Sequence, residues 1–366
     1  PFPFLLAHPL PVETTKTFRP GGLPPEEGVK PASTPAFRWQ DFAIEPKWDG
    51  IRVQIVRRRQ VSLWSRGEEE ISAAFPELVI AAEALPVGTT VDGELLAWLP
   101  ERAGDSGAVA PFAELQRRLN RKTASARLQA KVPVRVLVFD LLEAGGKDLR
   151  DQPWECRRSQ LESVLAHLTG PEKRCLQAAP VLAAETGTDA ARLRDQVAGE
   201  GAEGLMLKRR DSRYAGGRPR GLWWKWKIDP RSFDGVLLYA QAGHGRRAGL
   251  HTDLTLAVWQ GDTLVPVAKA YSGLSDADFR QLDQWIRQHT LERFGPVRRV
   301  PPAQVFEIAY EGIRRSGRHK AGLALRFPRI VRWRQDKTPA QADTLEHLQS
   351  VLVDTQSSAP PGSARP

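Results

Sequence analysis

Lys47-Trp48-Asp49-Gly50-Ile51-Arg52-Val53-Gln54-Ile55 is the stretch on which the fold turns. From Ile51 to Ile55 apolar and polar residues alternate with a period of two, the pattern of a strand with one buried face. Lys47 therefore stands at the entrance of a strand, with Asp49 and Arg52 close by and Gly50 between them. A lysine so placed has little to contribute to packing. As a nucleophile it must shed its proton from a reference pKa of about 10.4, and nearby cations or a metal ion favour that loss. A solvated loop lysine is the competing explanation, and this stretch alone leaves it open.

Outward from this strand the same alternation recurs at Val134-Arg135-Val136-Leu137-Val138-Phe139. Apolar residues three or four apart predict helices over 111–121, 154–168 and 189–198. After Asp229-Pro230 the texture changes to closely spaced strands at 235–240, 254–259, 264–270, 305–310 and 323–333. One helix interrupts them, capped by Ser275 with Asp278 three residues on and presenting Phe279, Leu282 and Ile286 on one face. The fold class is therefore α+β, with mixed and antiparallel sheets first and then a small β-barrel of OB-fold size.

With 366 residues the chain exceeds what one core normally holds. The expected division is a Pro/Gly-rich linker or surface-hugging arm over 1–36, a first domain over 37–229, the barrel over 230–352 and a disordered tail over 353–366. The formal net charge of +10 points to a polyanionic partner, nucleic acid first. Cys156 and Cys175 form no CxxC pair, which excludes a zinc ribbon and a disulfide framework and makes the cytosol the expected compartment. No apolar run approaches the roughly 20 residues of a membrane span, so no membrane partner is expected. The opening Pro1-Phe2-Pro3-Phe4 lacks a signal peptide's basic start, and the missing initial Met suggests a start inside a longer product.

Several further stretches carry chemistry in their own right. In Trp224-Lys225-Trp226-Lys227 the period of two sets both lysines on one face, able to hold phosphates, and the indoles on the other. Glu94 and Glu203 are hard oxygen donors beside Gly93 and Gly204, and glycine lets a backbone approach a ligand closely. Phe139 lies in an apolar strand that would ordinarily be core. Arg334-Gln335-Asp336-Lys337 reads on composition as a solvated charge run. Gly243-His244-Gly245-Arg246-Arg247-Ala248-Gly249 fits no nucleotide-loop spacing and is expected to be a basic hairpin loop.

In order and spacing these motifs resemble those of the covalent nucleotidyltransferases: ATP-dependent DNA ligases, RNA ligases and mRNA capping enzymes. Lys47 to Arg52 resembles their Lys-x-Asp-Gly-x-Arg nucleophile motif. Leu63-Trp64-Ser65-Arg66-Gly67, Val91-Asp92-Gly93-Glu94-Leu95, Val138-Phe139-Asp140-Leu141-Leu142, Glu203-Gly204-Leu205-Met206-Leu207-Lys208, the Trp-flanked lysine pair and Arg334 to Lys337 resemble the rest. The resemblance spans roughly residues 38 to 350. It implies an adenylation domain of ATP-grasp-like character followed by an OB-fold, with Lys47 carrying AMP. By the same resemblance Glu45 would bond the adenine amino group, Phe139 would stack on adenine, and Arg52 and Arg66 would hold the nucleotide and the nick 5′-phosphate. Glu94 would contact ribose and metal, Glu203 the metal, and Lys225 and Lys227 the α-phosphate. Arg334, Asp336 and Lys337 would orient the leaving pyrophosphate.

The implied activity is an ATP-dependent DNA ligase, needing ATP and Mg²⁺ (Mn²⁺ is also accepted by oxygen ligands) and acting as a monomer on nicked duplex DNA during repair or replication. Residues 203–214 and 221–230 are similar to a bacterial repair-type branch, which implies a cytoplasmic, nucleoid-associated enzyme. Such relatives carry an N-terminal DNA-binding domain that this stretch of sequence does not include. An RNA ligase, a capping-type guanylyltransferase and a catalytically silent nucleic-acid-binding module are the alternatives.

Overall fold

The computed structural model describes residues 1–11, 37–99, 107–119, 121, 123–243 and 249–357. Two compact units divide the chain, Pro1–Ile228 and Asp229–Pro366.

In the first unit the strands run β1 (His8–Pro9), β2 (Phe42–Pro46), β3 (Ile51–Arg57), β4 (Val61–Ser65), β5 (Thr89–Ala97), β6 (Val134–Ala144), β7 (Lys147–Asp148), β8 (Leu176–Ala178), β9 (Gly204–Arg209) and β10 (Trp223–Lys227). They form a four-stranded sheet, β1-β10-β9-β2, and a six-stranded sheet, β4-β3-β5-β6-β7 with β8 beside β6. Among the described residues β1 on β10 and β8 on β6 pair in parallel, and the other strand pairs of these two sheets are antiparallel. The alternation of β3 buries Val53 and Ile55 completely, against Leu63, Val91, Leu95, Val136 and Val138. Burying each such aliphatic side chain is worth about 1.5–3 kcal/mol, which fixes the register of the nucleophile's strand. The helix Trp154–Ala166 covers the sheet with Leu161 and Leu165, and Gly187–Gly199 starts at a capping box made by Thr186 and Asp189.

Of the stretch expected as a linker or surface-hugging arm, residues 1–11 run along the first unit with Phe4, Leu5 and Leu10 buried. Pro1, Pro3, Pro9 and Pro11 suit an edge segment, where missing N–H groups cost little, and β1 pairs with the outer side of β10. Residues 12–36 lie outside the described residues.

The second unit contains β11 (Arg231–Ala242), β12 (His251–Gln260), β13 (Thr263–Ala270), β14 (Glu292–Phe294), β15 (Val297–Arg299), β16 (Val305–Tyr310), β17 (Gly312–Arg315), β18 (Leu323–Arg326) and β19 (Arg329–Trp333). The long β11 pairs with β12, β15 and β16, and β16 with β19, curling the sheet around one apolar core. The helix Asp276–Gln288 begins at the Ser275–Asp278 capping box and buries Phe279, Leu282 and Ile286. A second helix, Leu345–Ser357, packs Leu345 and Leu348 on the same core. It carries regular structure past 352, where a disordered tail was expected; 358–366 lie outside the described residues, as do 244–248 of the expected basic loop.

The single strand expected at 323–333 is two. Phe327 takes a left-handed φ of 48° ahead of Pro328, so β18 pairs with β17 and β19 turns away to β16. The left-handed turn at Phe327 and the missing N–H of Pro328 end the first strand, and periodicity does not register them.

Candidate active site

The backbones of Lys47 and Glu203 are joined where β2 ends and β9 begins. The Lys47 N–H donates to Gly204 O at 2.8 Å, and the Glu203 N–H donates to Lys47 O at 2.6 Å. Their side chains follow: Lys47 Nζ donates to Glu203 Oε2 at 2.6 Å, and Lys227 Nζ lies 3.3 Å from the same oxygen. Burial alone would raise the Glu203 carboxyl, but the charges and hydrogen bonds of Lys47 and Lys227 together hold it below its ordinary value. Lys225 lies on the same face of β10 as Lys227, its ammonium pushed below the usual lysine range by partial burial and then by Arg218, Lys227 and Lys47. Trp223 continues this face inward and is buried.

The glycines beside the two acids serve neighbouring strands. Gly204 has φ 138°, and a Cβ on it would lie 2.2 Å from Trp226 O on β10. A Cβ on Gly93 would lie 2.6 Å from Val136 Cγ1 on β6. The close approach expected toward a ligand is thus made toward backbone and core.

Glu94 projects from β5 opposite Arg52 of β3. Burial pushes its carboxyl up to about 7 against the opposing pull of Lys47 and Arg52, with Asp92 and Glu203 adding like-charge repulsion. Arg52 itself is engaged through all three of its nitrogens. Its Nε and Nη2 donate to the two carboxylate oxygens of Asp92 at 3.1 and 2.7 Å, Nη2 also reaches the Tyr214 hydroxyl at 3.2 Å, and Nη1 donates to the Leu5 carbonyl. The Tyr214 hydroxyl donates to Asp92 at 2.6 Å and accepts from the Leu5 N–H at 3.2 Å. The rings of Phe4, Phe139 and Trp223 lie 5.1, 5.4 and 5.3 Å from the guanidinium. The arm's Leu5 and Phe4 therefore help to fix the arginine of the nucleophile motif.

Glu45 is buried on β2, its Oε2 accepting from Lys208 Nζ at 2.6 Å while Arg158 Nη1 stands 3.8 Å from Oε1. Burial raises the Glu45 carboxyl, an effect Lys208 and Arg158 offset in part. Among the described residues its Oε1 has no hydrogen-bond partner, so a buried acceptor is left for a donor to meet. Phe139 is only 9% exposed, with Lys208 Nζ 3.7 Å from its ring centroid, so a base stacking on that face has to displace the lysine.

Arg66 is exposed beyond β4, its backbone N–H bonded to Arg52 O at 3.2 Å. In the second unit Arg334 is paired with Asp336 through Nε and Nη2 at 2.9 and 2.8 Å, and its Nη1 lies 3.1 Å from Asp234 Oδ2. Lys337 Nζ donates to that same oxygen at 2.5 Å. The bond to Arg334 holds the Asp336 carboxyl at about 2. The solvated charge run expected on composition is an ordered set.

Sequence reasoning missed Lys208, Asp92, Tyr214, Arg158 and Asp234. Lys208 was within reach, since period two on β9 sets it on the face of Met206, which pairs with Glu45 and Lys225 on either side. The others meet their partners across long sequence separations that no local pattern encodes.

Among the described residues no group of three or more His, Cys, Asp or Glu could hold a metal unaided. Mg²⁺ commonly binds through one or two carboxylates plus substrate phosphates, and Glu94 and Glu203 fit that donor set.

An adenylation-type domain of two antiparallel-rich sheets and an OB-fold barrel, with a lysine, two acids and paired lysines converging in the first, define a covalent nucleotidyltransferase core. The family model described as ATP dependent DNA ligase domain matches residues 31–227, and that described as ATP dependent DNA ligase C terminal region matches 247–337. The chain belongs to the ATP-dependent DNA ligase family. It is 38% identical over 357 residues to a probable DNA ligase of Koribacter versatilis, covering 92% of this chain and 61% of that one. With a DNA ligase of Natronomonas pharaonis it shares 35% identity over 312 residues, covering 85% of this chain and 54% of that one. The chain thus spans less than two thirds of the length of these curated relatives. A solved chain from a study of Lig E DNA ligases, with DNA binding by a minimal scaffold in its title, shares the fold at TM-score 0.57 and 20% identity, covering 81% of this chain and 94% of that one.

Proposed function

We propose that this chain is a DNA ligase core that transfers AMP from ATP to Lys47 and seals 5′-phosphate/3′-hydroxyl nicks in duplex DNA. The observation that carries the proposal is the contact of Lys47 Nζ with Glu203 at 2.6 Å inside a group of further cations, Lys225 and Lys227. A lysine held beside an acid and among phosphate-binding cations suits attack on a phosphorus atom.

In the first transfer the Lys47 amine attacks the α-phosphorus, an N–P bond forms, the bond to the β-phosphate oxygen breaks and pyrophosphate leaves. Lys225 and Lys227 neutralise the α-phosphate, and Arg334, Asp336 and Lys337 are assigned to the pyrophosphate. A DNA 5′-phosphate oxygen next attacks the same phosphorus and returns Lys47 as the amine. The 3′-hydroxyl then attacks the 5′-phosphate and expels AMP, Arg52 and Arg66 being assigned to nucleotide and phosphate. Glu45 Oε1 is the acceptor for the adenine amino group, and Phe139 the ring beneath the base once Lys208 yields. Mg²⁺, or Mn²⁺, held by Glu94 and Glu203 would supply charge neutralisation on the phosphates. The proposed setting is the bacterial cytoplasm, with the protein acting as a monomer on nucleoid DNA.

Intact mass after incubation with ATP tests the proposal. One added AMP is expected, absent in Lys47→Ala, followed by sealing of a nicked DNA duplex. Labelling by GTP without DNA sealing would overturn it in favour of a capping-type enzyme, and sealing confined to nicked RNA in favour of an RNA ligase. DNA binding with no labelling at all would leave a silent binding module.

A further inference from the structure

Asp234 grips both ends of the loop that carries the distal cations. At the start of the loop its carboxylate accepts from Arg334 Nη1 at 3.1 Å and from Lys337 Nζ at 2.5 Å. At the end its backbone N–H donates to Asp343 Oδ2 at 2.7 Å and its carbonyl accepts from the Asp343 N–H at 2.9 Å. Between them, Trp259 Nε1 donates to Pro339 O at 2.8 Å and a short turn, Pro339–Gln341, is closed by Thr338. Asp234 is 7% exposed and sits on β11, the strand that joins three others, so it is held more firmly than either cation.

Two cations on neighbouring turns repel each other and carry several rotatable bonds each. A single buried carboxylate between them cancels the repulsion and selects one rotamer for both. All three residues belong to one unit, so the arrangement is intrinsic to it. Among the described residues Asp336 is paired with Arg334, not with Lys337, and it is 63% exposed, so it does not perform the same service for Lys337.

We propose that Asp234 is the positioning residue that fixes Arg334 and Lys337 as one rigid pair for the leaving pyrophosphate. It sets the rate of the first transfer and leaves the final sealing step unaffected. This deepens the ligase reading above and rests on it.

Asp234→Asn keeps the size of the side chain and the backbone bonds to Asp343, and Arg334 keeps its pair with Asp336 while Lys337 stays partly in solvent, so the unit is expected to fold with a measurable loss of stability. Two reactions separate the steps: formation of the Lys47 adduct from ATP, and sealing of a nicked duplex already carrying a 5′-adenylylated phosphate, which needs the last transfer alone. Adduct formation is expected to slow by about 10- to 100-fold, the scale of a misplaced reacting group, with sealing of the adenylylated nick unchanged within about twofold. Lys337→Ala should cost much less in the Asp234→Asn background than in the native protein, because the pair is already lost. Equal loss in both reactions would reduce Asp234 to a structural role and overturn the proposal, as would unchanged adduct formation or full additivity. The Lys337 ammonium signal in ¹⁵N NMR provides a readout free of catalysis. Slow proton exchange in the native protein that is lost in Asp234→Asn supports the positioning, and an ammonium equally mobile in both refutes it. If the native protein forms no adduct while this signal behaves as expected, the ligase reading fails and the positioning stands.

Discussion

Glu203 meets Lys47 twice, by a backbone bond of 2.6 Å to the lysine carbonyl and by a carboxylate contact of 2.6 Å to its ammonium. The first makes the second nearly obligatory, because the two chain segments cannot separate without breaking the sheet that holds both. The nucleophile's position is therefore a property of strand pairing.

Glu203→Gln tests the charge apart from the position. The amide keeps the backbone bond and the length of the side chain but removes the counter-charge that Lys47 and Lys227 share. Adduct formation should fall by about 100-fold, the order expected when one electrostatic stabiliser is removed, and more metal should be needed for half-maximal rate. A variant reacting at the native rate with native metal dependence would show that Glu203 serves the fold alone.

Asp92 and Tyr214 make a contrast in stability. Asp92→Asn leaves Arg52 without its counter-ion in a buried site, and breaking such a pair costs about 3–5 kcal/mol. Tyr214→Phe removes one hydroxyl that serves Asp92, Arg52 and Leu5, a cost of about 1–3 kcal/mol. Denaturant unfolding of the two variants should rank Asp92→Asn as the less stable. The reverse order would mean that the hydroxyl, and not the ion pair, anchors the arm.

What the sequence disclosed and what it hid follow from the range of the forces involved. Period two exposed the common face of Lys225 and Lys227, since alternation on a strand is local. The capping box at Ser275 was equally plain, since it closes within three residues. Arg52 was singled out for its motif, yet its engagement by Asp92, Tyr214 and Leu5 depends on partners 40, 162 and 47 residues away. Composition made residues 1–11 look like a linker or surface-hugging arm because proline disfavours helix and central strand; it gave no notice that an edge strand tolerates proline while Phe4 and Leu5 supply core. The break at Phe327 was similarly invisible to a count of apolar residues.

The salt dependence of nick binding follows from the net charge of +10. If phosphate contacts supply the affinity, each neutralised phosphate contributes a slope of about −0.9 in log K against log salt. Binding of a nicked duplex should weaken by at least about tenfold between roughly 50 and 200 mM salt, measured by fluorescence anisotropy. A binding constant that holds steady over this range would exclude phosphate contacts as the main source of affinity.

Glu94 makes opposite demands on stability and reaction as pH rises. Its carboxyl is raised from 4.5 to about 7, first by burial. Between those values the folded protein holds a proton that the unfolded chain has released. Stability contributed by this group therefore declines as pH rises from about 4.5 to about 7, and is constant above. The proposed reaction needs the ionised form, since only the carboxylate binds a metal. Adduct formation should accordingly fall as pH drops below about 7, with the fall moving to lower pH as metal is added, because metal and proton compete for the carboxylate. Glu94→Gln removes the cost of the buried charge and the function together. Its thermal midpoint should exceed that of the native protein at about pH 8, the gap closing toward about pH 4.5, while adduct formation is lost. A midpoint difference that stays constant across this range, or that grows as pH falls, would show that Glu94 is ionised in the folded protein throughout and that burial does not govern it.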